Sequence, residues 1–385
     1  MNIIINELKK IFKPINIAIV VLITTIIWVL FMAFNIQNFP NGSDKYTYDI
    51  SMMILENYGT TMDENEFTDL KEYREKRAKE ATKYLLSKDE FIMSGLSTYD
   101  EYINREENST LDYKGIDKLD ELRDKLFFEE QNYLFWELQE LDYLIERYDD
   151  KDFWIDSMQM NETSEQKQRY EELRNRDTAY SPLSFRILEN YHSLIFGITL
   201  LILICVPILI IPIFINDSKN KVNYLQYSSK LGRKIFNKKI TASVIATFLV
   251  ATIQLAILFV AYKANNTYAF WNCSINSAIS DMASWYDITF GQYIILSVII
   301  NYIIAFITCM ISIFVSSKAD TYISAIGIQI PILFAFGIWL NDRGMRALTE
   351  VFYSKFSTEM IYLLLILISV MVIIKRFRKE KIADI

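Results

Sequence analysis

Apolar residues in this chain fall in long blocks rather than in alternating or one-sided stripes. Ile15 to Phe34, Leu194 to Ile215, Ile240 to Tyr262, Tyr293 to Val315 and Thr321 to Leu340 each run without an Asp, Glu, Lys or Arg. A helix needs about 20 such residues to cross roughly 30 Å of hydrocarbon, so each block predicts a membrane-spanning helix. A sixth block, Met360 to Ile374, is shorter and is expected to cross only with local thinning, little tilt or help from the residues before it. Lys9, Lys10 and Lys13 precede the first block, but no small-residue cleavage site follows it, so it is expected to be a retained anchor rather than a signal peptide.

The segments between blocks have patterns of their own. Asn2 to Phe12 places Ile4, Ile5, Leu8, Ile11 and Phe12 at helical spacing with Lys9 and Lys10 opposite. That predicts an amphipathic helix lying in the interface, ended by Pro14. Glu66 to Phe91 is rich in Lys, Glu and Ala, and Leu134, Leu138, Leu141, Ile145 and Tyr148 recur at spacings of four and three, a heptad-like seam. With breaks at Gly95, Asn108 to Thr110 and Gly115, the spacing predicts two or three long helices packed as a small bundle. Phe127, Phe128, Tyr133, Phe135 and Trp136 exceed what one seam buries; they are expected to pack within the bundle, with contact to lipid, partner or cargo as the alternative. Asn341 to Glu359 alternates Arg343, Arg346, Glu350, Lys355 and Glu359 with Leu348, Val351, Phe352, Tyr353 and Phe356, an amphipathic pattern expected for a re-entrant or interfacial element. Pro207, Pro212 and Pro331 interrupt spans and are expected to shape or kink them.

Charge separates the chain into two populations. Residues 36–190 hold 37 Asp and Glu against 20 Lys and Arg, a net of −17, while the remainder holds 10 against 20, a net of +10. Basic residues precede the first block, fill 217–239, and follow the sixth as Lys375, Arg376, Arg378, Lys379 and Lys381. Six spans put all three clusters on one side, and basic flanks stay cytoplasmic. Both termini are therefore expected inside and 36–190 outside. Cys205 and Cys309 fall within apolar blocks and Cys273 in an expected short outer loop, which leaves 36–190 without a cysteine. No disulfide framework holds that segment, which favours a bacterial cytoplasmic membrane.

Several chemistries are excluded or disfavoured. A single histidine, His192, leaves no His cluster for a metal and no His-dependent triad. No glycine is followed by lysine, so the chain has no P-loop and is not expected to be an enzyme or to hold a cofactor. Spans free of ionisable residues argue against an ion-coupled carrier. The amides Asn16, Gln254, Asn301 and Gln329 are candidates for lining a path or, more commonly, for joining helices. The external carboxylates alternate with Lys and Arg and read as a solvated face.

Lys221 to Ile240 carries six Lys or Arg and no acid. A topology signal, a patch for anionic lipid and a docking surface for another protein all fit its charge. Only the last uses Tyr224, Leu225 and Tyr227, apolar knobs that a groove on a soluble partner would grip together with Lys230 and Arg233.

The layout of an interfacial helix, one span, a large external segment and five further spans resembles the ABC-2 type permeases, membrane subunits of bacterial ABC exporters. Gln226 to Phe236, reading QYSSKLGRKIF, is similar to the segment after the second span in members from Gram-positive bacteria. The resemblance covers the membrane part and not the external segment. Members commonly carry Glu and Gly early in this loop; Asp217 stands near the acidic position and the Gly is absent. The resemblance implies an all-α polytopic fold: an interfacial helix at 1–13, a first transmembrane helix at 14–35, an extracellular helical domain at 36–190, and spans 2–6 in 191–385. It implies a coupling loop at 217–239, with Tyr224, Leu225, Tyr227, Lys230 and Arg233 against a separate ATPase that binds ATP and Mg. It also implies re-entrant helices at 341–359 with Arg343, Arg346, Glu350 and Glu359. The expected partners are two ATPase copies, a second identical or different permease, membrane lipid, and a peptide or lipid-like cargo, as in antimicrobial-peptide export or immunity. Nucleic acid is not expected as a partner. The competing expectation is a membrane-anchored receptor or secretion scaffold that binds through 36–190 without transport.

Overall fold

The computed structural model describes residues 2–107, 121–130, 132–150, 152, 155, 162–220, 222, 232 and 234–382. Among these the regular structure is helical, with fourteen α-helices, beside an isolated antiparallel bridge from Ser274 to Thr289. Six helices are long and apolar enough to cross a membrane: Pro14–Gln37, Phe185–Lys219, Lys234–Asn265, Phe290–Ser316, Tyr322–Gly344 and Ser357–Lys379, here spans 1 to 6. The protein is thus a multi-span helical membrane protein.

The chain divides into two compact units, one comprising residues 1–39, 189–268 and 291–385, the other 40–188 and 269–290. In the first, span 2 is the central element. Its apolar window is 78 % buried, against 6 % for span 1 and 22 % for spans 5 and 6. Pro207 and Pro212 stand inside a continuous helix, as does Pro331 in span 5, so none ends its span. Span 1 starts with Pro14 at its first turn, where the missing N–H is not needed, and one π turn, Trp28–Met32, interrupts its α geometry. Span 6 differs from expectation. Its helix runs Ser357–Ile382, because Ser357 to Glu359 and the basic residues after Ile374 continue the helix that the apolar count leaves short.

Polar side chains tie the spans. Thr199 Oγ1 donates to Asn301 Oδ1 at 3.0 Å, joining spans 2 and 4, and Gln329 Nε2 donates to Ser312 Oγ, joining spans 5 and 4. At the far ends of spans 1 to 3, Asn190 and Asn265 both donate to the carbonyl of Asn35 at 2.9 Å, and Asn265 donates to Asn190 at 2.8 Å. Asn266, in the left-handed region at φ 56°, then turns the chain out of span 3. At the opposite ends, Arg376 Nη2 donates to the Ser317 carbonyl at 2.9 Å, tying span 6 to the turn between spans 4 and 5.

In the second unit, Asp44–Tyr58, Glu64–Leu86 and Tyr133–Asp149 pack together. Asp63 opens the second of these with a capping box closed by Glu66, which satisfies two of the otherwise unpaired first-turn donors. Of the predicted seam, Leu138, Leu141 and Tyr148 are buried, while Phe135 and Leu144 take the places of Leu134 and Ile145, which are half-buried. Phe127 and Phe135 enter a core with Leu85, Phe91, Tyr99 and Tyr102, and Trp136 packs against it. Phe128 stays exposed. Gly95 forms a turn at φ 67°, whereas Asn108 to Thr110 and Gly115 lie outside the described residues.

Two expectations about this unit need correction. The carboxylates are not all a solvated face. Glu137 is 6 % exposed and accepts from Tyr73 at 2.6 Å and from Arg77 Nε at 2.9 Å, because two helices close over it and bring compensating donors. Nor is 269–290 a separate short loop. Arg169, itself 6 % exposed, donates to the Ser284 carbonyl at 3.0 Å and to Asp287 at 2.7 Å, and Arg147 donates to the Ala278 carbonyl at 2.9 Å. Cys273 is consequently buried.

Candidate functional site

The basic loop is described at its shoulders. Tyr224, Leu225, Tyr227, Lys230 and Arg233 lie outside the described residues. Asp217 ends span 2 and Lys239 lies in the first turns of span 3; both are buried, and Lys239 Nζ stands 2.7 Å from Asp217 Oδ2. The helix Asn2–Ile11 packs along span 3 and adds two more charges. Lys10 Nζ lies 2.8 Å from Glu7 Oε1 and 3.1 Å from Asp217 Oδ2. Burial works against the Lys10 ammonium, but the Glu7 and Asp217 carboxylates outweigh it and hold its pKa above the ordinary lysine value. Two acids and two bases thus fasten the N-terminal helix to both shoulders of the loop. Sequence reading missed this cluster. Its one signal was the presence of Glu7 and Asp217, acids in otherwise basic surroundings.

A second feature is a cleft of about 1030 Å³ between spans 1, 2 and 5. Span 2 contributes Phe196, Leu200, Leu203, Pro207, Ile211 and Asn216, spaced by three to five as on one helix face. Those 20 residue steps cover roughly 30 Å at about 1.5 Å per residue, the thickness of the hydrocarbon layer. Of the four amides proposed for a path, Asn16 and Gln329 line this cleft. Asn16 Nδ2 also donates to the Ile11 carbonyl at 2.8 Å, across the junction between the N-terminal helix and span 1. Gln254 and Asn301 do not line the cleft; both are buried, and Asn301 joins helices.

The third feature is 341–359. The helical spacing read there is not realised. After a π turn at Leu340–Gly344, residues 345–356 form turns, and helix resumes at Ser357. Phe356 adopts φ 63°, a left-handed conformation that ends one path and starts another. Ala347, Leu348 and Val351 are buried, so the apolar residues fold inward without a helix. Arg343 stacks 4.2 Å over the Tyr353 ring and bonds to Ser357. Arg346 pairs with Glu189 at 2.9 Å. Both line a small polar cavity of about 100 Å³ with His192, Ser193 and Asn341. Burial pushes the Glu350 carboxyl up to about 7, with Arg346 opposing. Glu359 lies in the first turn of the span 6 helix. The described shoulders of the basic loop and 341–359 both belong to the first unit.

Among the described residues no three His, Cys, Asp or Glu side chains converge as metal ligands. No protein family model matches the chain, and neither a curated protein nor a solved structure is significantly similar to it.

Proposed function

We propose that the chain is the non-catalytic transmembrane subunit of an ATP-driven ABC exporter, working with two copies of a separate ATPase and with a second permease subunit, identical or related. The observation that carries the reading is the union of a charged cluster at the shoulders of the basic loop with a cleft that runs the depth of the membrane. A force applied to the 217–239 loop meets Asp217 and Lys239 first, and span 2 carries both Asp217 and the longest wall of the cleft. Rigid helices joined by buried ion pairs are suited to transmitting such a movement. ATP and Mg belong to the partner. The reading places residues 36–190 outside a bacterial cytoplasmic membrane and both termini inside, and the cleft suits an apolar peptide or lipid-like cargo.

The test is to purify the tagged chain from its native membrane in mild detergent and identify what remains bound in near-equal amount. A P-loop ATPase, lost with Leu225→Glu while the chain stays in the membrane, is the expected result. No ATPase, with an extracellular protein held by the acidic unit instead, supports the receptor or scaffold reading. That second reading draws on Leu86, Ile92 and Met93, apolar side chains exposed on the second unit.

A further inference from the structure

Among the described residues lining the cleft, Lys13 is the one that is charged. It is exposed and has no carboxylate partner among the described residues, in contrast to Lys10 three positions earlier, which is held by both Glu7 and Asp217. Beside it the same end of the cleft carries Asn16, Asn216 and Tyr322, with the Tyr322 hydroxyl donating to Asn216 Oδ1 at 2.8 Å. Beyond these the lining is apolar except for Gln329 and Asn341. Gln329 is 2 % exposed, and its Oε1 has no hydrogen-bond partner although its Nε2 is used. An unpaired buried carbonyl of this kind costs free energy unless a ligand or water meets it.

The walls differ along the length. Among the described residues, span 1 and the residue before it contribute Lys13, Ile15, Asn16 and Ile19, whereas spans 2 and 5 line the cleft from end to end. The basic half therefore has three walls and the far half two. A slot with a cation and hydrogen-bonding groups at the interface, apolar depth behind them, and a volume at the top of the roughly 300–1,000 Å³ range of ligand sites has the chemistry of an acidic amphiphile. Basic pockets between spans take anionic headgroups for the same reason.

We infer that the basic half of the cleft binds an anionic phospholipid from the bilayer, its phosphate at Lys13 and an acyl chain between spans 1, 2 and 5. As a statement about cargo this rests on the permease reading; as a statement about binding it does not.

The experiment uses the full chain purified in mild detergent and titrated with chain-labelled fluorescent phosphatidylglycerol and the matching phosphatidylcholine. Phosphatidylglycerol is expected to bind roughly five- to tenfold more tightly, as about 1 kcal/mol or more per lysine implies. Lys13→Gln should abolish that preference and leave phosphatidylcholine binding unchanged, while Lys9→Gln, at an exposed position outside the cleft, should leave both unchanged. Ile330→Trp, at a cleft position 60 % exposed and so tolerant of bulk, should weaken both lipids. Equal affinity for the two lipids, or a preference indifferent to Lys13, overturns the inference. So does efficient disulfide formation between two copies of Ile330→Cys without bound lipid, which would assign the cleft to a second chain. Because no ATPase is present, lipid selectivity without a copurifying ATPase sinks the permease reading alone. An ATPase partner without lipid selectivity sinks this inference alone.

Discussion

At the scale of single residues, Asp217 is the centre of the buried charges, since both Lys10 and Lys239 reach it. Asp217→Ala would leave Lys239, at 4 % exposure, without its acid, and breaking a buried pair from one side costs on the order of 3 kcal/mol. A clearly lower thermal midpoint in detergent is expected. Lys10→Met should lower it as well, because Glu7, at 4 % exposure, then loses its base, although Asp217 retains Lys239. Equal and small shifts would mean that the cluster is screened and holds nothing. Glu350 makes a different prediction. Burial raises its carboxyl to about 7, above the roughly 4.3 of a free glutamate, so between these values the folded chain binds more protons than the unfolded one. Stability then falls as pH rises from about 4.5 to about 7, by at most about 1.4 kcal/mol per unit. Glu350→Gln should flatten this dependence of the unfolding midpoint, and an unchanged slope would assign it to another group.

At the scale of elements, span 1 is the least buried, and its Met32 meets span 2 at Gly197. A Cβ at Gly197 would lie 2.8 Å from Met32 Cγ and 2.9 Å from its Sδ. Met32 is flexible at that end, so Gly197→Ala should be mild, while Gly197→Leu overpacks the contact and costs about 1–3 kcal/mol. Met32→Ala should restore part of that loss in the double variant, and strict additivity of the two shifts would show that the spans do not meet there. The five long spans were legible because hydrocarbon thickness sets a length that composition must meet. Span 6 was underread for the same reason, since charged residues extend a helix without adding to an apolar run. Residues 345–356 misled because alternating apolar and charged positions satisfy a helical count even where the π turn ends at Gly344 and Phe356 adopts a left-handed backbone. Asn16 and Gln329 reached the cleft while Gln254 and Asn301 did not, a distinction that depends on the rotation of each helix and that one sequence does not encode visibly. The charged cluster joins residues 7, 10, 217 and 239, separations across which no local pattern extends.

At the scale of the whole molecule, the decisive constraint is that residues 40–188 and 269–290 fold as one unit. Two stretches separated by spans 2 and 3 can share a unit only if those spans cross as a pair. Met93, 83 % exposed, and Trp271, 41 % exposed, report the two stretches separately, and the native Cys205, Cys273 and Cys309 are all buried. In intact cells a membrane-impermeant maleimide should therefore label Met93→Cys and Trp271→Cys alike against a low background. Lys318→Cys, exposed in the turn between spans 4 and 5, should label only after permeabilisation. The sign of this result follows from charge, because the net +10 outside 36–190 collects on the flanks that basic residues keep inside. Labelling of Lys318→Cys alone in intact cells would invert the orientation and leave six crossings in place. Opposite labelling of Met93→Cys and Trp271→Cys would break the six-span arrangement itself, and with it the placement of the basic loop on the side where an ATPase would dock.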